Sequence, residues 1–118
     1  MYRNTVSEVN QRLKLQYGAL TLYAGIDCLD VMMGWAEENQ IVVLNDEASR
    51  QHAQILYKRG QFLLQELSAN ATYVKKDGLQ AFHVRRESIM LDGKGILSLG
   101  VLPDQSVNEI VQFELIQD

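Results

Sequence analysis

The chain has 118 residues, 47% of them apolar and 22% charged; that is enough apolar area to offset chain entropy, which excludes a wholly disordered chain and suits one domain spanning 1–118. A formal charge of −4 argues against general affinity for nucleic acid or anionic lipid, and apolar runs such as Ile41-Val42-Val43-Leu44 fall far short of the ~20 residues a membrane helix needs. The single cysteine, Cys28, excludes an intrachain disulfide; with no signal-peptide core behind Met1, a soluble cytoplasmic protein is expected.

Thr5-Val6-Ser7-Glu8 has the form of a capping box, in which the Thr5 hydroxyl takes an orphan amide and Glu8 reaches back. Val6, Val9, Leu13, Tyr17 and Leu20 then recur at spacings of three and four, which predicts an amphipathic helix to about Tyr17. The same stretch supports a hairpin, because Leu13, Leu15 and Tyr17, then Leu20 and Leu22, alternate around Gly18-Ala19. The helix is the preferred expectation, with 18–25 left open. Asp27 is placed to cap a second helix whose buried face holds Ile26, Leu29, Met32, Met33 and Ala36, ending at Asn39-Gln40. Ile41–Leu44 reads as a strand or a buried connector. Asn45-Asp46-Glu47 opens a third helix, with Ala53, Leu56, Gly60, Leu63 and Leu67 on one face to about Ser68, and Asn70 ending it.

Beyond Asn70 the apolar period changes from 3.6 to 2. Asp77-Gly78 marks a hairpin between Thr72–Lys76 and Leu79–Val84, pairing Lys76 with Leu79, Val74 with Ala81 and Tyr73 with Phe82. Asp92-Gly93-Lys94-Gly95 predicts a second hairpin joining Ser88–Leu91 to Ile96–Leu102, Pro103–Ser106 a surface turn, and Val111, Phe113 and Leu115 the inward face of a last strand. The expected class is α+β, with about three N-terminal helices packed on one face of a C-terminal antiparallel meander of four to five strands.

No catalytic constellation and no metal or cofactor motif emerges. His52, His83 and Cys28 lie 24 and 31 residues apart, which matches no ligand spacing. Asp27 and Asp30 flank Cys28 and oppose thiolate formation. Asp92-Gly93-Lys94-Gly95 lacks the length and following Ser/Thr of a phosphate loop. Charge, however, is unevenly placed: residues 1–57 carry −3, residues 58–86 carry +4 and residues 87–118 carry −5. The basic third holds Lys58, Arg59, Lys75, Lys76, Arg85 and Arg86, with Tyr73 and Phe82 interleaved. These cations, His83 and Trp35 are the binding residues the sequence nominates, the last because the apolar, adaptable Met32-Met33-Gly34-Trp35 suits an interaction surface as well as a core.

The first functional reading is a small non-enzymatic protein-binding or regulatory module of the adaptor, inhibitor or immunity type, with another protein or a second copy of itself as partner. The second is a nucleic-acid-associated protein using the basic 58–86 region. The third is a small ligand-binding domain or enzyme with a pocket between helices and sheet.

Overall fold

The computed structural model describes residues 11–103 and 109–117. The chain runs through β1 (Gln11–Tyr17), β2 (Leu20–Ala24), β3 (Val31–Gly34), β4 (Ile41–Val42), β5 (Ala53–Lys58), β6 (Gln61–Glu66), β7 (Thr72–Lys76), β8 (Phe82–Val84), β9 (Ser88–Leu91), β10 (Lys94–Leu99) and β11 (Ile110–Gln117). These form a six-stranded sheet in the order β2-β1-β11-β10-β7-β8 and a five-stranded sheet in the order β4-β3-β5-β6-β9. Among the ladders between these strands, only the short β3–β4 one is parallel. One sheet supplies Leu13, Leu15, Val74, Leu97, Leu99, Val111 and Phe113 to the core, and the other supplies Val31, Met33, Ile55, Phe62, Leu64 and Leu91. The result is an all-β sandwich, two sheets closing on one apolar layer.

The α+β expectation is therefore wrong: no α-helix occurs among the described residues, and strands occupy all three segments read as helices. The capping box at Thr5–Glu8 lies outside the described residues. In the first segment the alternation wins, since Leu13 and Leu15 are buried while their neighbours are not, and β1 turns into β2 at Gly18-Ala19. In the second, only Val31–Gly34 is regular, with Met33 and Val31 inward.

The third segment shows why spacing misled. Ala53, Leu56, Gly60 and Leu63 match a helical stripe, but in β5 and β6 the buried residues are Ala53 and Ile55, then Phe62, Leu64 and Glu66. Between them Lys58 pairs with Gln61 across Arg59-Gly60, both at positive φ. This is the tight, inverted turn a two-residue hairpin requires. With Arg in place of Asn or Asp at its first position, it carries no familiar turn signal.

Two strand pairings also differ from expectation. The Asp77-Gly78 bend is present, with the Leu79 amide donating to the Lys76 carbonyl. The ladder, however, pairs Val74 with Phe82, Tyr73 with His83 and Thr72 with Val84. That one-residue slip puts Tyr73 beside His83, ring centroids 6.0 Å apart, because Val84 goes into the core. The Asp92-Gly93 segment is a crossover between sheets: β9 pairs with β6, whereas β10 pairs with β7 and β11.

Strand direction brings the connections 35–40, 43–52 and 67–71 to one end of the sandwich. Two glycines let them meet. A Cβ on Gly34 would lie 2.2 Å from the Arg50 carbonyl oxygen, and one on Gly100 would lie 2.3 Å from that of Glu47. Both close approaches clamp the same 43–52 connection against a strand end, where any side chain would force it away.

Candidate functional site

At this end of the sandwich the three connections are sewn together by a buried polar network. His52, fully buried, stands at the start of β5. Its Nδ1 accepts the Ser49 amide at 2.9 Å, so the proton resides on Nε2, which donates to the Ala71 carbonyl at 2.7 Å. One ring thus ties 43–52 to 67–71. Nε2 also lies 3.1 Å from Ser68 Oγ and 3.2 Å from Glu66 Oε2. With Nδ1 unprotonated, the contact to Glu66 is a polar contact of a neutral ring.

Glu66, 1% exposed, is the second anchor. Its Oε1 accepts the Ser68 and Arg86 amides, each at 3.0 Å. Its Oε2 accepts the Ser68 hydroxyl at 2.6 Å and the Thr72 hydroxyl at 3.0 Å. A carboxyl group can stay inside a protein when both oxygens are satisfied in this way. The Ser68 hydroxyl in turn accepts the Asn70 amide, and Ala71 takes positive φ, which turns the chain back into β7.

Burial pulls the His52 pKa below its ordinary value of 6.5, against the opposing pull of the Ala71 carbonyl and of Glu66. The folded state therefore binds the proton less readily than the unfolded chain. The stabilisation from neutral His52 is complete above about pH 6.5 and is lost as pH falls below it, where unfolded chains gain a proton that folded ones do not. Urea unfolding of the wild type should show stability falling between about pH 7 and pH 5. His52→Gln, less stable at pH 7, should show a flatter dependence over that window; an equal slope in both would contradict this role.

Over this base lies an exposed rim. The Trp35 amide donates to the Ser49 carbonyl, and the Arg50 carbonyl accepts both the Ala36 amide and Asn39 Nδ2. Asn70 Nδ2 donates to the Glu47 carbonyl at 3.0 Å, and Asn45 Nδ2 to that of Leu99 at 2.9 Å. With the backbone held, the side chains of Trp35, Arg50, Gln51 and Asn70 face solvent and Ser49 is half-buried. The Arg50 guanidinium stacks 4.7 Å from the Trp35 ring centroid, and its Nη2 is 3.9 Å from Glu38 Oε2. Both members of that ion pair are well exposed, so water and salt screen it. The rim thus offers one cation with a planar fork of donors, a hydroxyl and an amide, on loops fixed from beneath.

A family model of the FHA domain matches residues 31–100, well over half of the chain and the whole of this loop system. The chain belongs to the FHA family.

The sandwich resembles solved FHA structures throughout. Mycobacterium tuberculosis Rv1747 FHA-1 superposes with a TM-score of 0.65 at 18% identity, covering 90% of this chain and 97% of that one. The MEK1 FHA domain bound to a HOP1 phosphothreonine peptide gives 0.60 at 18%, covering 90% and 96%. M. tuberculosis EmbR in complex with a low-affinity phosphopeptide gives 0.64 at 18%, covering 87% of this chain and 24% of that longer one. At such identity the likeness is one of fold. No curated protein sequence matches the chain. FHA domains are protein-interaction modules of the class that reads phosphorylated motifs, so the protein-binding, regulatory character expected from the sequence holds.

Of the nominated residues, the FHA fold brings only Trp35 onto the three-loop rim. Lys58 and Arg59 form the β5–β6 turn at the opposite end. Lys75 and Lys76 also end β7 away from the rim, where Lys75 Nζ donates to the Leu79 carbonyl and Lys76 Nζ pairs with Asp92 at 2.8 Å. Arg85 and Arg86 follow β8, the latter with its amide on Glu66. His83 is exposed beside Tyr73. The six cations are thus divided between the two ends and do not converge on one surface. The sequence pattern nominates none of Ser49, Arg50 and Asn70 for binding, and His52 enters it only as a residue that matches no ligand spacing. Their signal was there in the polar clusters Asn45–His52 and Ser68–Asn70 between alternating strands, hidden by the helix drawn through them.

Among the described residues no group of three or more His, Cys, Asp or Glu side chains is placed to hold a metal ion. Cys28 is half-buried in the β2–β3 connection, where burial and neighbouring Asp27 push its thiol pKa up, away from nucleophilic chemistry.

Proposed function

We propose that this FHA domain binds a phosphothreonine-bearing segment of another protein at the loop end of the sandwich, as an adaptor or regulatory module. The observation that carries the reading is Arg50. It is the one cationic side chain in 35–40, 43–52 and 67–71, its carbonyl is fixed by two hydrogen bonds, and its guanidinium is exposed.

A phosphothreonine brings about −1.5 to −2 charges and three strong acceptor oxygens at pH 7. A guanidinium meets such a group with two parallel N–H bonds. The Ser49 hydroxyl lies one residue away to add a donor. Asn70 commits its Nδ2 to Glu47, which leaves Oδ1 to accept a peptide amide. The relatives solved with phosphopeptides, EmbR and MEK1, support a phosphopeptide as the partner.

Glu37, Glu38, Asp46 and Glu47 lie on the same loops and oppose an incoming phosphate. Affinity should therefore be modest and should fall with salt. Calorimetric titration with matched peptides, differing only in threonine phosphorylation, tests the reading. The phosphorylated form should bind at least about tenfold more tightly, the worth of one charge-assisted bond; equal affinities would refute phospho-dependence.

A further inference from the structure

Beside Arg50 lies a second feature of the rim, a cleft of about 300 Å³ lined by Trp35, Leu44, Asn45 and Asp46. Its apolar walls are exposed: Leu44 is 75% and Trp35 41% accessible. Asn45 has both ends of its side-chain amide engaged, Oδ1 by the Glu47 amide and Nδ2 by the Leu99 carbonyl. It shapes the cleft and leaves Asp46 as the one charged group lining it.

We infer that this cleft receives a lysine or arginine side chain of the bound segment, so that the partner is a phosphothreonine motif with a basic residue close by. The inference rests on the phosphopeptide reading and adds to it the chemistry of a second position.

Three features point to a basic side chain. An aliphatic stem of three or four methylenes suits the Leu44 and Trp35 walls, while its charged tip prefers a wet, anionic end. An indole face attracts cations, as it already attracts the Arg50 guanidinium. Asp46 supplies the opposite charge, and Glu37, Glu38 and Glu47 on the same loops extend the negative field. An acidic side chain would meet repulsion there, and a neutral apolar one would gain the walls but not the carboxylate. The Trp35 ring is shared between Arg50 and the cleft. In an extended peptide advancing about 3.3 Å per residue, the basic side chain therefore falls within roughly four residues of the phosphothreonine.

The test is a peptide array built on a fixed central phosphothreonine, each other position carrying Arg, Leu or Glu in turn, with a duplicate array on unmodified threonine. It is probed with the wild type, Asp46→Asn and Asp46→Lys. Asp46 is exposed, and unfolding curves confirm that each variant is folded. One position within four residues of the phosphothreonine should favour Arg over Leu by roughly three- to tenfold. Asp46→Asn should lower that preference towards unity, and Asp46→Lys should turn it towards Glu.

No preference for Arg at any position, or a preference untouched in Asp46→Asn, overturns the inference while phospho-dependent binding stands. An Asp46-dependent preference for Arg on the unmodified array, with no gain from phosphate, supports the cleft and removes the phosphopeptide reading. Retention of no peptide on either array removes both.

Discussion

Glu66→Ala should lower the unfolding free energy by roughly 3–5 kcal/mol, the largest stability effect of any single change at the loop end. The carboxyl is buried and both oxygens are in use, Oε1 on the Ser68 and Arg86 amides and Oε2 on the Ser68 and Thr72 hydroxyls. Removing it takes the acceptor from two backbone amides and two hydroxyls; the Ser68 amide and both hydroxyls are buried, and each such group costs about 1–3 kcal/mol. Glu66→Gln separates chemistry from volume. Its carbonyl oxygen still serves one pair of donors, while its amino group faces the other pair, so the loss should be intermediate. Denaturant unfolding of the three proteins gives the order wild type, Gln, Ala. A Glu66→Ala protein within about 1 kcal/mol of the wild type would show that the network does not anchor the loops.

Arg50→Ala should have the largest effect on binding, weakening the phosphorylated peptide by roughly 30- to 100-fold. The unmodified peptide should be nearly unaffected, so the ratio between the two collapses towards one. The fold should persist, because the side chain is exposed and its structural bonds come from its backbone carbonyl, which alanine keeps. Arg50→Lys should recover only part of the loss, since an ammonium offers a point charge without the planar pair of donors and stacks less well on Trp35. Titration calorimetry on both peptides with the three proteins reads all of these. Full phospho-discrimination in Arg50→Ala would move the phosphate site elsewhere.

The second half of the sandwich was largely legible in the sequence. Val111 and Phe113 alternate with Gln112 and Glu114 and are buried as that pattern requires, and Asp77-Gly78 makes the bend it announces. The first half was not, because two periods coexist in the same residues. In 53–67, Ala53, Leu56, Gly60, Leu63 and Leu67 satisfy a helix, while Ala53, Ile55, Phe62 and Leu64 satisfy a hairpin only if Arg59-Gly60 is known to be its turn. Arg59 at positive φ is a local cost accepted for strand pairing on both sides, and propensity gives no warning of it. Asn45-Asp46-Glu47 misled in a related way. Asn45 does cap a neighbouring amide, that of Glu47, but in a turn rather than at a helix start.

The site was hidden for the same reason. Ser49, Arg50, His52, Ser68 and Asn70 come together only when 43–52 and 67–71 are connections at one end of a sandwich. On a helix running from Asn45 to about Ser68 the two groups lie towards opposite ends, roughly 28 Å apart at 1.5 Å per residue. The basic residues drew attention because they cluster in sequence, yet Lys58 and Lys75 sit at one end of the strands and Arg85 at the other. Composition could show that cations were concentrated in 58–86; only strand order shows that they diverge.

Backbone amide and indole resonances followed by NMR during titration with the phosphorylated peptide locate the surface that reads phosphothreonine. If it is the three-loop end, the largest shifts fall on Ser49, Arg50, Asn70 and the Trp35 indole, with Lys58, Arg59, Lys75 and Lys76 unmoved. Shifts concentrated on the β5–β6 turn and the far end of β7, with the loop end silent, would contradict that placement.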